Sequence, residues 1–235
     1  TGLVRAPLDD VLRGLGTLDR LVGHDAYAER SFLGQARRRR ALGRAQRGAD
    51  IALVLPNSFA GALLAWWTGA PRRVGYARSA RGWLLSDALP AVRPVAMERY
   101  YLDLVLHLGC PDTGTVLELA TEAAAERDCD ALFERQGIHT RAPLVCLAPG
   151  AGFGPSKLWP LAYVAEVAAK LRASGAQLAL VHGPGEEPLA SEILARTPGI
   201  ARLGGDGMSL SLLKSVLARA ALELDERLEV RGILD

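Results

Sequence analysis

Short apolar runs at 18–22, 51–55, 144–148, 177–182 and 200–203 recur between longer stretches whose apolar residues fall three or four apart. Runs of that length suit strands, and the intervening spacing predicts amphipathic helices over 27–47, 59–68, 98–108, 161–173, 188–196 and 210–220. Strand and helix in alternation specify an α/β chain with parallel sheets. The pattern breaks between 108 and 144 into GCPDTG, an acidic alanine-rich helix over 121–136, and GIHTRAP. A junction there divides the chain into domains 1–137 and 138–235, which 235 residues at 49% hydrophobic content can each supply with a modest core. Sheets of this kind bind ligands at the carboxyl ends of their strands, so a cleft faced by two such domains is the expected site.

Charge and cysteine usage exclude several classes. With 28 Lys and Arg against 26 Asp and Glu, the chain carries no global field for nucleic acid. Cys110, Cys129 and Cys146 are odd in number and lack the spacing of zinc ligands or a disulfide framework, which fits a reducing cytoplasm. No run reaches the ~20 apolar residues of a membrane span and no leader opens the chain, so a soluble protein is expected; peripheral membrane contact stays open.

The stretch LAPGAGFGPSKLWP, 147–160, lies between a predicted strand and a predicted helix. Gly150, Gly152 and Gly154 permit close backbone approach, the helix start attracts anions, and Lys157 adds a point charge for a phosphate. The spacing is neither GxGxxG nor the P-loop GK[ST], and a plain glycine-rich connection is an equal reading of the local pattern. Trp159 and Pro160 favour a fixed loop, with Pro160 suited to the first helical turn. A second loop, LVHGPGEEPLASEI, follows the next strand with Glu186 and Glu187. Carboxylates there suit ribose hydroxyls, although acidic residues also favour a helix start for electrostatic reasons alone.

Together ADIALVLPNSFAGALLAWWTGAPRRVGYARSARGWLLSD, MERYYLDLVLHLG and LAPGAGFGPSKLWPLAYVAEVAAKL resemble the heptosyltransferases of glycosyltransferase family 9, of the heptosyltransferase II type. The resemblance covers about 50–220 and implies a GT-B-like architecture: two Rossmann-like domains, the first on the acceptor side and the second binding the nucleotide sugar. It implies heptose transfer from ADP-heptose to the lipopolysaccharide inner core, on the cytoplasmic side, with possible peripheral contact at the inner membrane. Lys157 would hold the donor diphosphate, Gly152, Gly154 and Ser156 would shape the loop, and Glu187, less directly Glu186, would take the ribose. Asn57 and Ser58 are assigned to acceptor binding or loop shaping, against an equal reading as a helix start. Arg72, Arg73, Arg78 and Arg81 are read as one basic loop facing an anionic acceptor or solvent.

Departures from the family pattern are as informative. Its base aspartate has no matching position, Asp9 and Asp10 included, and ALELDERLEVRGILD stands where the family has an apolar strand and a phosphate-gripping turn. The chain therefore reads as truncated at both ends, each domain incomplete. An inverting, metal-independent transferase without a cofactor is the leading expectation, and a non-catalytic nucleotide-binding fragment or homologue the alternative. A dehydrogenase is disfavoured by the failed dinucleotide fingerprint. Arg37 to Arg40 are expected on a solvated helix face backed by Leu33, Ala36, Ala41 and Ala45, and Trp66, Trp67 and Trp83 in core or loop packing, with a sugar platform as the less favoured alternative.

Overall fold

The computed structural model describes residues 1–25, 31–91, 95–139, 141–150, 157–225 and 230–231. Two compact units form: Thr1–Gly23 with Glu118–Asp235, and His24–Leu117. The expected junction at 137/138 thus falls inside the first unit, because the opening residues and the acidic helix both pack against the helix Leu210–Ala218. No helix among the described residues is long and apolar enough to cross a membrane.

The chain opens with strand β1 (Gly2–Arg5), a short helix α1 (Asp9–Leu12) and strand β2 (Leu21–His24), which pairs with β1. Helix α2 (Phe32–Arg44) leads into the second unit, with β3 (Ile51–Val54), α3 (Phe59–Thr68), β4 (Arg72–Tyr76), β5 (Asp87–Leu89) and α4 (Met97–His107). Its sheet runs β3-β4-β5, parallel throughout. One face packs Val54 under Ala62 and Ala65 of α3 with Leu84 and Leu85; the other packs Val74 and Tyr76 under Tyr100 and Leu104 of α4. Arg72 and Arg73 are therefore not in a loop as expected but head a buried strand, hidden in the sequence because RRVGY offers only two large apolar residues.

Helix α2 corrects a second expectation. Arg37, Arg38 and Arg40 are exposed, but so are Leu33, Ala41 and Ala45. The buried residue is Gly43, where a Cβ would lie 2.7 Å from Trp67 Cβ. Close backbone approach to α3, rather than an apolar stripe, sets that contact.

The first unit holds α5 (Ala123–Gln136), β6 (Leu144–Ala148), α6 (Leu161–Ala173), β7 (Gln177–His182), α7 (Glu187–Arg196), β8 (Ala201–Gly204), α8 (Leu210–Ala218), β9 (Leu222–Asp225) and β10 (Val230–Arg231). The sheet order is β10-β9-β6-β7-β8, with only β10 antiparallel. A strand does follow α8, in LELD, whose acidic residues masked it in the sequence. Burial on both faces explains the unbroken apolar runs of β6 and β7. Leu144, Cys146, Ala179 and Val181 pack with α5 and α8, whereas Val145, Leu147, Leu178 and Leu180 pack with α6 and α7. Each fully buried Leu or Ile there contributes about 1.5–3 kcal/mol. Cys129 sits in the first of these clusters, where burial pushes its thiol up to about 11, as suits an inert core residue.

Candidate functional site

At the carboxyl edge of the first unit's sheet, β6 delivers Pro149 and Gly150; Gly152, Gly154 and Ser156 lie outside the described residues. Lys157 follows on an exposed turn, and Trp159 packs beneath it against the cluster of Val145, Leu147 and Val164. Pro160 takes the N-cap of α6 rather than its first turn. It offers no capping side chain, so the first N–H groups of α6 must be met from outside the helix.

On the neighbouring strand, β7 ends at His182 and the chain turns through 183–186, with Glu186 N donating to Gly183 O at 3.3 Å. Glu186 folds back so that its Oε2 accepts from Gly183 N at 2.8 Å, and its carboxylate lies against the α-carbon of Gly150. Glu187 opens α7 on the side of Gly205, and its carboxylate makes no hydrogen bond among the described residues. The turn thus spends one glutamate on its own backbone and leaves the other available.

Sequence reasoning missed the partner of His182. Arg202 Nε donates to His182 Nε2 at 3.0 Å, so the ring accepts there and donates from Nδ1 to Gly183 O, 3.2 Å away. That chain of bonds ties β8 to the glutamate turn. The histidine at a strand end was visible in the sequence; nothing local marked Arg202. Asp9 and Asp10 both pair with Arg13 at 2.9 Å, which gives neither a free carboxylate role.

At the carboxyl edge of the second unit's sheet, Ser58 Oγ accepts from Gly61 N at 3.2 Å and so caps α3. Asn57 has a different environment. Its Oδ1 accepts from Arg81 Nη2 at 3.2 Å and from Tyr100 Oη at 3.1 Å. Arg81 is wholly buried and also donates to the carbonyls of Tyr76, Pro56 and Ser58. Burial lowers the Arg81 guanidinium from its ordinary value, and burial raises the phenol of Tyr76, which stacks on Tyr100 at 3.9 Å.

Comparison with known proteins gives the chain a family. Residues 37–223 match the family model described as glycosyltransferase family 9 (heptosyltransferase). The chain belongs to glycosyltransferase family 9. It is 31% identical over 182 residues to lipopolysaccharide heptosyltransferase 2 of Salmonella typhimurium, covering 74% of this chain and 50% of that protein. Among solved structures it resembles the ADP-heptose lipopolysaccharide heptosyltransferase II of Escherichia coli, with TM-score 0.77, 24% identity, and 95% of this chain and 68% of that one covered. A family 9 glycosyltransferase from Veillonella parvula superposes with TM-score 0.86 at 18% identity, over 95% of this chain and 64% of that one. The fold is thus GT-B-like α/β, and the family 9 chain spans about half the length of the curated relatives it matches.

Within the family 9 chain, Arg72 and Arg73 stand apart from Asn57. They begin β4, and the parallel register pairs Arg72 with Ile51 at the head of β3, about 10–13 Å of strand from the carboxyl edge. Arg73 donates to Leu84 O and Ala70 O, and Arg72 pairs with Asp87 at 3.1 Å. The Ser86 hydroxyl, then Arg72, hold the Asp87 carboxyl down to about 2. Because this pKa is depressed on folding, its contribution to stability is present above about pH 4 and is lost as pH falls toward 2. In Ser86→Ala the Asp87 carboxyl carbon is expected to titrate closer to the ordinary range, and NMR titration of that signal checks it.

Proposed function

We propose that the protein transfers heptose from ADP-heptose to an anionic lipopolysaccharide inner-core acceptor. The carboxyl edge of the first unit's sheet takes the donor and that of the second unit's sheet takes the acceptor. The observation that carries this reading is the juxtaposition of the glycine turn after β6 with the glutamate turn after β7, in a chain of this family. In this reading Lys157 and the start of α6, which has no side-chain cap among the described residues, hold the diphosphate together with Gly152, Gly154 and Ser156, and Glu187 accepts from ribose hydroxyls. Glu186 acts by shaping the turn.

In the reaction, an acceptor hydroxyl attacks the anomeric carbon, the bond to the ADP oxygen breaks, and the acceptor proton passes to a base. Inversion follows from that single displacement. Negative charge grows on the departing diphosphate, where fixed protein charges stabilise it best. The proposal includes transfer without a divalent metal, and action at the cytoplasmic face of the inner membrane, where such an acceptor is presented. Asn57 is the acceptor-side residue favoured here; Arg72 and Arg73, spent at the opposite edge, are left out.

Calorimetric titration of ADP and ADP-heptose tests the donor half. Lys157→Ala and Glu187→Gln are each expected to weaken binding about tenfold, with and without excess chelator. Unchanged affinity in both variants would sink the assignment.

A further inference from the structure

We propose that Trp83 and Phe59 form a platform for a pyranose ring of the acceptor, with the amide N–H groups of Asn57 as its polar partner. This deepens the glycosyl-transfer reading and rests on it. Against the expectation of a packing role, Trp83 is 71% exposed, and Phe59 is 41% exposed. Their rings lie 6.1 Å apart and tilted by 51°, so two apolar faces stand in water side by side. Aromatic faces of this kind suit the C–H face of a sugar, whose hydroxyls then need donors at the rim.

One buried residue supplies both the rim and the spacing. Arg81 can only donate, so its bond to Asn57 forces the amide oxygen inward, and Tyr100 occupies the same oxygen. The Asn57 nitrogen is left with its donors unused among the described residues, on a side chain that is half-buried and fixed. Arg81 also grips the carbonyls of Pro56 and Ser58 while beginning the turn Gly82–Leu84 that carries Trp83. Asn57, Phe59 and Trp83 are thereby held to one another.

Arg78 adds charge selectivity. The chain reverses between Arg78 and Arg81 through Ser79 and Ala80, both at φ 53, a left-handed turn made without glycine at about 1–2 kcal/mol per residue. Arg81 is buried by that turn, and Arg78 stays half-exposed with no hydrogen bond or ion pair from its side chain among the described residues. A guanidinium in that state matches a phosphate on the saccharide.

The test is an NMR titration of the chain with a deacylated, phosphorylated inner-core oligosaccharide, following backbone amide signals of the second unit in every variant and, in the parent, the indole N–H of Trp83 assigned through Trp83→Phe. A saturable shift is expected, about tenfold weaker binding in Trp83→Ala and in Asn57→Ala, and most of the affinity kept in Trp83→Phe. Phosphatase treatment of the oligosaccharide should weaken binding to the parent chain but not to Arg78→Ala. ADP affinity should be the same in parent and Trp83→Ala; absence of ADP binding in both, with oligosaccharide binding to the parent kept, would refute the donor site and not the platform. Oligosaccharide affinity unaltered by Trp83→Ala, or no binding at all, overturns the platform.

Discussion

Arg81→Met is expected to cost the second unit about 1–3 kcal/mol, a sizeable share of the roughly 5–15 kcal/mol that stabilises a typical domain. The side chain is fully buried, and every partner recorded for its guanidinium is an uncharged oxygen: the carbonyls of Tyr76, Pro56 and Ser58, and Asn57 Oδ1. Methionine fills a similar volume but removes four donated bonds at once: Tyr76 O, Ser58 O and Asn57 Oδ1 keep Arg78 N, Ala62 N and Tyr100 Oη, whereas Pro56 O loses its donor, and unmade bonds cost more than made ones return. Lysine fares little better, since one ammonium on a flexible stem cannot reproduce a planar fork that reaches both β3 and β4. Trp66, Trp67 and Trp83 all lie in this unit and Trp159 in the other, so denaturant unfolding followed by tryptophan fluorescence in a Trp159→Phe background reads the second unit alone. A loss below about 1 kcal/mol would mean that water, not the guanidinium, satisfies those carbonyls.

The same residue shows why the site was only half legible in the sequence. Elements buried on both faces or strongly periodic came through with their bounds intact: β6, β7, α3 and α6 fall where apolar runs and three-to-four spacing put them. Strands β1, β4, β5 and β9 did not, because strands of three to five residues with arginine or carboxylate at their ends carry too little alternation to register. Asn57 was singled out beside a strand end, yet its partners lie 24 and 43 residues away, and no local pattern announces them. The choice between Glu186 and Glu187 likewise needed the turn, in which one carboxylate is drawn back to Gly183 N. The first unit is discontinuous for a related reason. Lys214 Nζ donates to Val11 O and Arg13 O, about 200 residues earlier, and a buried lysine in α8 gives no hint of that before folding.

Gly204→Ala is expected to destabilise the first unit by about 2–6 kcal/mol, from backbone strain and overpacking together. Gly204 ends β8 at φ 154, a conformation side-chain-bearing residues rarely adopt. A Cβ there would sit 2.6 Å from His182 Cδ2 and closer still to the His182 carbonyl oxygen. The register pairs these two residues, and Gly205 N donates to that same oxygen at 3.3 Å, so relief requires β7 and β8 to part at their carboxyl ends. Backbone cannot swing aside as a flexible side chain would. Parting the strands also breaks the Arg202 to His182 bond and shifts the turn that presents Glu187, so ADP affinity should fall further than the lost stability alone accounts for. Gly207→Ala is the matched control, since a Cβ at that position meets nothing within 4 Å, and it should change stability by less than about 0.5 kcal/mol. Thermal melts of the two variants, followed by the indole N–H signal of Trp159, decide the matter. If both melt together, the β7 and β8 ends have room to spare and the donor edge is looser than its contacts imply; if only Gly204→Ala falls, the glycine is what lets His182 and its neighbours approach closely enough to build the edge.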